Sequence, residues 1–152
     1  MQEAEANRFA IDLLAPRWLM RPYLRGIPDL AAVLRLSKEL GLSREAGGRR
    51  YVELHEQPCA LVFSAEGVVR YIERNPTFPS MSCRHGQRLS ALPAPVDETG
   101  LSAHEEIDSR DWLIRADRDA LVVQTLRQSR GHATTLVFFD QDHSESDCED
   151  VY

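Results

Sequence analysis

The chain has 152 residues, 43% of them hydrophobic, with a formal net charge of −6. That length is enough to bury a core as one ordinary domain or two small ones. No apolar run reaches the roughly eighteen residues of a membrane-spanning helix, and Met-Gln-Glu-Ala-Glu at the start has neither the basic nor the apolar region of a signal peptide.

Three cysteines, Cys59, Cys83 and Cys148, are an odd and widely spaced set. They read as reduced thiols of a cytoplasmic protein rather than as a disulfide framework. Charge is unevenly placed: residues 1–50 carry nine basic and six acidic side chains, residues 101–152 five basic and twelve acidic. A basic footprint for nucleic acid is therefore restricted to the first third of the chain.

Glu3 to Ala15 reads as a helix stopped by Pro16. At about 100° per residue, Ala6, Phe9, Ala10, Leu13 and Leu14 share one face, and Glu5, Arg8 and Asp12 fall on the opposite, solvated one. Pro16 to Pro28 reads as an irregular segment packed by aromatics. Asp29 then opens a helix whose buried stripe is Leu30, Val33, Leu34 and Leu40, ending at Gly41. Ser43 caps a further helix towards Leu54, which Gly47-Gly48 weakens by roughly 1 kcal/mol per glycine.

After Pro58 the pattern turns to strands. Cys59–Ser64 and Val68–Glu73 form a hairpin about Glu66-Gly67, and residues 75–100, with four prolines, read as a loop or linker. A second hairpin joins Ala120–Leu126 to Ala133–Phe139 about Arg130-Gly131. Residues 140–152 read as an acidic, disordered tail. The expected fold is α+β: N-terminal helices followed by a small antiparallel sheet built from two hairpins. Residues 1–54 form one unit and 55–139 a second, sensor-like one.

Glu3 and Asn7 stand one turn apart at the margin of the apolar face of the first helix. A carboxylate there suits a zinc ligand, with the later side chain accepting the second ring N–H of a histidine ligand. The alternative is a solvated glutamate favoured by the helix dipole. The stretch Glu-x-x-Ala-Asn-x-Phe-Ala-x-x-Leu-Leu-x-Pro, from Glu3 to Pro16, resembles the second motif of the ImmA/IrrE zinc metallopeptidases, the domain of unknown function 955 family. The resemblance continues more weakly through Leu40-Gly-Leu-Ser43, the hairpin Ala60-Leu-Val-Phe-Ser-Ala-Glu-Gly67, and Asp111-Trp-Leu113.

The resemblance implies zinc-dependent cleavage of a helix-turn-helix transcriptional repressor, with Glu3 as the third metal ligand and Asn7 behind a histidine. It also implies a preceding His-Glu-x-x-His helix, which these residues do not contain; the chain alone is expected to hold no zinc. His55-Glu-Gln-Pro-Cys59 cannot substitute, because Pro58 breaks the helix that would align its ends. His104-Glu-Glu-Ile-Asp108 and the pair Cys83 and His85 are weaker alternatives.

Leu36-Ser-Lys-Glu-Leu-Gly-Leu-Ser-Arg-Glu-Ala46 has the look of a DNA-binding helix pair, with Arg44, Arg49 and Arg50 as phosphate contacts. Gly47-Gly48 suits a recognition helix poorly, so a packing role is the stronger reading. Two functions of different class follow: part of a repressor-cleaving peptidase, inactive as this isolated chain, or a non-catalytic module that binds a ligand or the repressor. The first helix, short of one partner, is expected to self-associate or to stay disordered unless the missing peptidase segment covers it.

Overall fold

The computed structural model describes residues 2–115 and 120–140. Helix α1 spans Gln2–Leu14 and is followed by the short α2, Arg17–Met20, and a 3-10 turn, Arg21–Tyr23. Pro16 to Pro28 is thus partly helical, held by the buried Met20 and Tyr23. Then come α3, Leu30–Leu40, and α4, Arg44–Leu54. Both have the ends their sequences dictate. Asp29 accepts from the Ala31 N–H at 2.8 Å, Ser43 accepts from the Ala46 N–H at 3.0 Å, and Gly41 closes α3 at φ 68°. Each such cap stabilises its helix by about 1 kcal/mol.

The strands are β1, Cys59–Ala65; β2, Val68–Arg74; β3, Glu105–Ile107; β4, Leu121–Arg127; and β5, His132–Phe139. They form one sheet in the order β2-β1-β5-β4-β3, antiparallel throughout. The fold is α+β, helices first and antiparallel sheet after. The expected hairpins are β1–β2 and β4–β5, joined through the long β1–β5 pairing, in which Cys59 faces Phe138 and Ala65 faces His132. In the first, Glu66 and Gly67 both adopt positive φ, 51° and 79°, which matches the twist of the flanking strands. The second bends at Arg130 and Gly131, also at positive φ. Beyond these, β3 adds a short edge strand that the sequence pattern did not disclose.

Both faces of the sheet are buried, which explains why β1 is apolar at successive positions. One face packs Leu61, Phe63, Leu126, Leu136 and Phe138 against Leu30, Val33 and Leu36 of α3 and Tyr51 and Val52 of α4. The α3 stripe differs slightly from expectation: Leu36 and Ser37 are buried, while Leu34 and Leu40 only border the core. The other face packs Ala60, Val62, Val123 and Val137 under Phe78, Met81, Trp112 and Leu113. Residues 75–100 are therefore no linker: with Trp112 and Leu113 they cover the sheet, pinned where Met81 bridges Leu113 and Ser82 donates its N–H to Trp112 at 2.9 Å.

Two corrections to the expected organisation follow. Helices and sheet share one core running from Ala15 to Phe138, so a boundary at 54/55 would cut through it. Gly47 and Gly48 are contact points rather than weak points. A Cβ on Gly47 would lie 2.3 Å from Ser37 Oγ and 2.9 Å from Leu36 Cδ1; one on Gly48 would lie 2.9 Å from Leu61 Cδ1. The glycines let α4 pack closely on α3 and β1 at once. Of the tail expected over 140–152, residues 141–152 lie outside the described residues.

Candidate functional site

Glu3 and Asn7 are exposed on α1, as are Phe9 (67%), Leu13 (65%) and Leu14 (54%); Trp18 of α2 is 71% exposed. Helical geometry sets Glu3 and Asn7 beside the apolar strip, and that strip faces away from the body of the protein. The face expected to be solvated is more than half exposed at Arg8 and Asp12, and it also carries ion pairs to α4. Arg8 bonds to Glu53 of α4, and Asp12 pairs with Arg50 of α4 at 3.1 Å. Ile11 is half-buried, and Ala15 is fully buried. Polar docking on one side leaves the apolar side outward, the reverse of an ordinary surface helix.

The three arginines considered for DNA have different fates. Arg50 is 7% exposed, donates from Nε to the Ala15 carbonyl at 2.9 Å and from Nη1 to Glu53 at 3.3 Å, and so does not face a phosphate backbone. Arg49 pairs with Glu73 at 3.4 Å and lies over the Tyr71 ring. Arg44 faces solvent at the start of α4. Because α4 buries Gly47, Gly48, Arg50, Tyr51, Val52 and Leu54, little of it is left to enter a groove. The pair packs on the sheet through these buried residues.

The metal alternatives are likewise placed apart. His104 precedes β3, and Asp108 follows it, so extended backbone separates them by roughly 13 Å instead of stacking them on a helix. His104 lies edge-on to Phe138. Cys83 is buried and its thiol is pushed up by desolvation, whereas His85 is exposed. His55 ends α4 in extended backbone and Cys59 opens β1, as Pro58 requires. Among the described residues no three His, Cys, Asp or Glu side chains stand together as a metal site. Glu3 by itself fits one position of a tetrahedral zinc and does not form a site.

One constellation was not read from the sequence. A pocket of about 520 Å³ is walled by Arg17, Arg21, Arg25, Glu56 and His55, with Leu24, Gly26, Leu54 and Gln57 completing the lining. His55 is 4% exposed and packs edge-on to Tyr51. Its Nδ1 accepts the Gln57 N–H at 3.0 Å, which leaves the ring proton on Nε2. That Nε2 has no hydrogen-bond partner among the described residues, a cost of about 1–3 kcal/mol for a buried donor. Burial pulls the imidazole pKa down, with Glu56 opposing. Asn75, buried beneath, donates to the carbonyls of Val52 at 3.0 Å and His55 at 2.8 Å, fixing the end of α4 that presents the ring.

The one sequence signal for this pocket is the spacing of Arg17, Arg21 and Arg25 at every fourth residue. The fold alone brings His55 to them. No helix among the described residues is long and apolar enough to cross a membrane. No family model matches the chain, and no curated protein matches its sequence.

Proposed function

We propose that the chain is the C-terminal part of an ImmA/IrrE-like zinc metallopeptidase that cleaves a helix-turn-helix repressor, and that α1 contributes Glu3 to the metal. The observation that supports this is the outward face of α1. Phe9, Leu13 and Leu14 stand exposed with Glu3 and Asn7 on their margin, while Arg8 and Asp12 tie the opposite side to α4. An apolar strip edged by a carboxylate suits a second helix carrying His-Glu-x-x-His, whose burial against Phe9 and Leu13 would bring two histidines beside Glu3. Such a helix buries what the strip exposes, at about 1.5–3 kcal/mol for each large side chain.

The experiment is to look upstream of Met1, within one domain's length, for an in-frame His-Glu-x-x-His, and to express the joined protein. Stoichiometric zinc is the predicted result; a joined protein that binds none contradicts the reading. The second reading, a non-catalytic module that binds a ligand or the repressor, is favoured by a separate observation, the basic pocket at His55.

A further inference from the structure

Arg8, Arg49, Arg50 and Arg70 each reach a carboxylate. The guanidinium groups of Arg17, Arg21 and Arg25 have no ion pair or hydrogen bond among the described residues, although all three line one pocket. Glu56 is the one acid on its wall, so the lining carries a surplus of positive charge. His55 also lines the pocket, with its Nε2 closed off from the open space, so that the ring reports on the pocket without facing a ligand directly.

We propose that this pocket binds the phosphate group of a small molecule, with Arg17, Arg21 and Arg25 meeting its charge. The charge argument selects the ligand. Three cations facing one carboxylate leave about two positive charges, which suits a phosphate monoester dianion better than a monocarboxylate. Guanidinium groups also match phosphate oxygens in pairs, which a simple ammonium does not.

The volume selects further. A pocket of about 520 Å³ is far larger than a phosphate group and falls in the range of whole small-molecule sites. The rest of the ligand would lie on Leu24 and Leu54, which supply the apolar wall. The pocket is also held in shape without a ligand. Met20 and Tyr23 anchor the arginine-bearing segment in the core, and Gln57 Nε2 donates to the Gly26 carbonyl at 3.3 Å, joining the two rims. This site is independent of the peptidase reading, since none of its residues lies on α1.

The test is a titration of the intact chain with inorganic phosphate, and in parallel with acetate, followed by the imidazole nitrogen resonances of His55. Phosphate should displace the Nε2 signal saturably and acetate only weakly. Arg21→Gln, an exposed change that leaves the core alone, should weaken phosphate binding about tenfold through loss of a charge-assisted contact. Arg44→Gln, outside the pocket, should bind as the parent does. Absence of a saturable phosphate response, an equal response to acetate, or unchanged binding by Arg21→Gln would each overturn the proposal. So would duplex DNA binding more tightly than phosphate and failing in the same variant, since that places the arginines on a nucleic-acid surface.

Discussion

Arg50 donates its Nε–H to the carbonyl of Ala15 at 2.9 Å and so ties the end of α1 to the middle of α4. The same guanidinium reaches Asp12 at 3.1 Å and Glu53 at 3.3 Å, from a side chain that is almost wholly buried. One cation therefore fixes the carbonyl that closes α1 and the carboxylate one turn before it. Arg50→Ala should destabilise the protein by about 2–3 kcal/mol, the range for charged hydrogen bonds lost from a buried position. Arg49→Ala removes a solvent-exposed pair with Glu73 and should cost under about 1 kcal/mol. Urea unfolding of both variants checks this, and equal losses would contradict the role given to Arg50.

Gly47 and Gly48 offer a test of packing against propensity. Alanine at either site gains about 1 kcal/mol of helix preference. At Gly47 the new Cβ would collide with Ser37 Oγ at 2.3 Å and Leu36 Cδ1 at 2.9 Å, in a close-packed layer. Overpacking there costs about 1–3 kcal/mol, so Gly47→Ala should be destabilising on balance. At Gly48 the near atom is the tip of Leu61, which can give way, and Gly48→Ala should come out close to neutral. Midpoints of thermal unfolding decide it; a stabilised Gly47→Ala would show that α3 and α4 are less tightly apposed.

The same glycines show where sequence reading stops. Local chemistry was legible. Asp29 and Gly41 bound α3 because capping is decided within a few residues, and Glu66-Gly67 sets its hairpin because both positions take positive φ. Contacts set by distant residues were not legible. Arg8 and Asp12 look solvated on a helical wheel and are more than half exposed, but their pairing with Glu53 and Arg50 of α4 depends on residues some forty positions away. Residues 75–100 show no period because they cover the sheet with single anchors, such as Phe78 and Met81, rather than with a regular element. At the candidate sites, the shared margin of Glu3 and Asn7 could be read from helical spacing. His55 looked like a failed metal motif, since its arginine neighbours are far away in the chain.

Acid should weaken the fold through His55. Its folded-state pKa is held below the ordinary 6.5, chiefly by burial, while Glu56 pulls the other way. The unfolded chain thus takes up the proton first, so this contribution to stability is present above the unfolded value and is lost as pH falls through it. Stability measured by urea at a series of pH values from about 7 to about 5 should decline, and His55→Gln should remove part of that slope. An unchanged slope in the variant would contradict a buried neutral ring.

The outward strip of α1 predicts association of the isolated chain. Phe9, Leu13, Leu14 and Trp18 are more than half exposed together, and covering them is favourable. Sedimentation should show reversible self-association that grows with concentration. Phe9→Ser combined with Leu13→Ser should abolish it without unfolding the core, since neither side chain is buried. A parent chain that stays monomeric across the range would count against an unpartnered face.

The most direct measurement of the proposed function is the zinc affinity of the chain joined to an in-frame upstream segment that carries His-Glu-x-x-His, compared across three single substitutions on α1. Glu3→Gln keeps the shape of the ligand but loses most of its attraction for a divalent ion, and should weaken zinc strongly while leaving the fold intact. Asn7→Ala removes a hydrogen bond behind a histidine and should cost about 10–100-fold. Glu5→Gln, well away from the margin that Glu3 and Asn7 share, should match the parent. That ordering is what the account predicts. Loss at Glu5 with none at Glu3 would contradict the register of the motif on α1, and no loss at any of the three would contradict the metallopeptidase assignment itself.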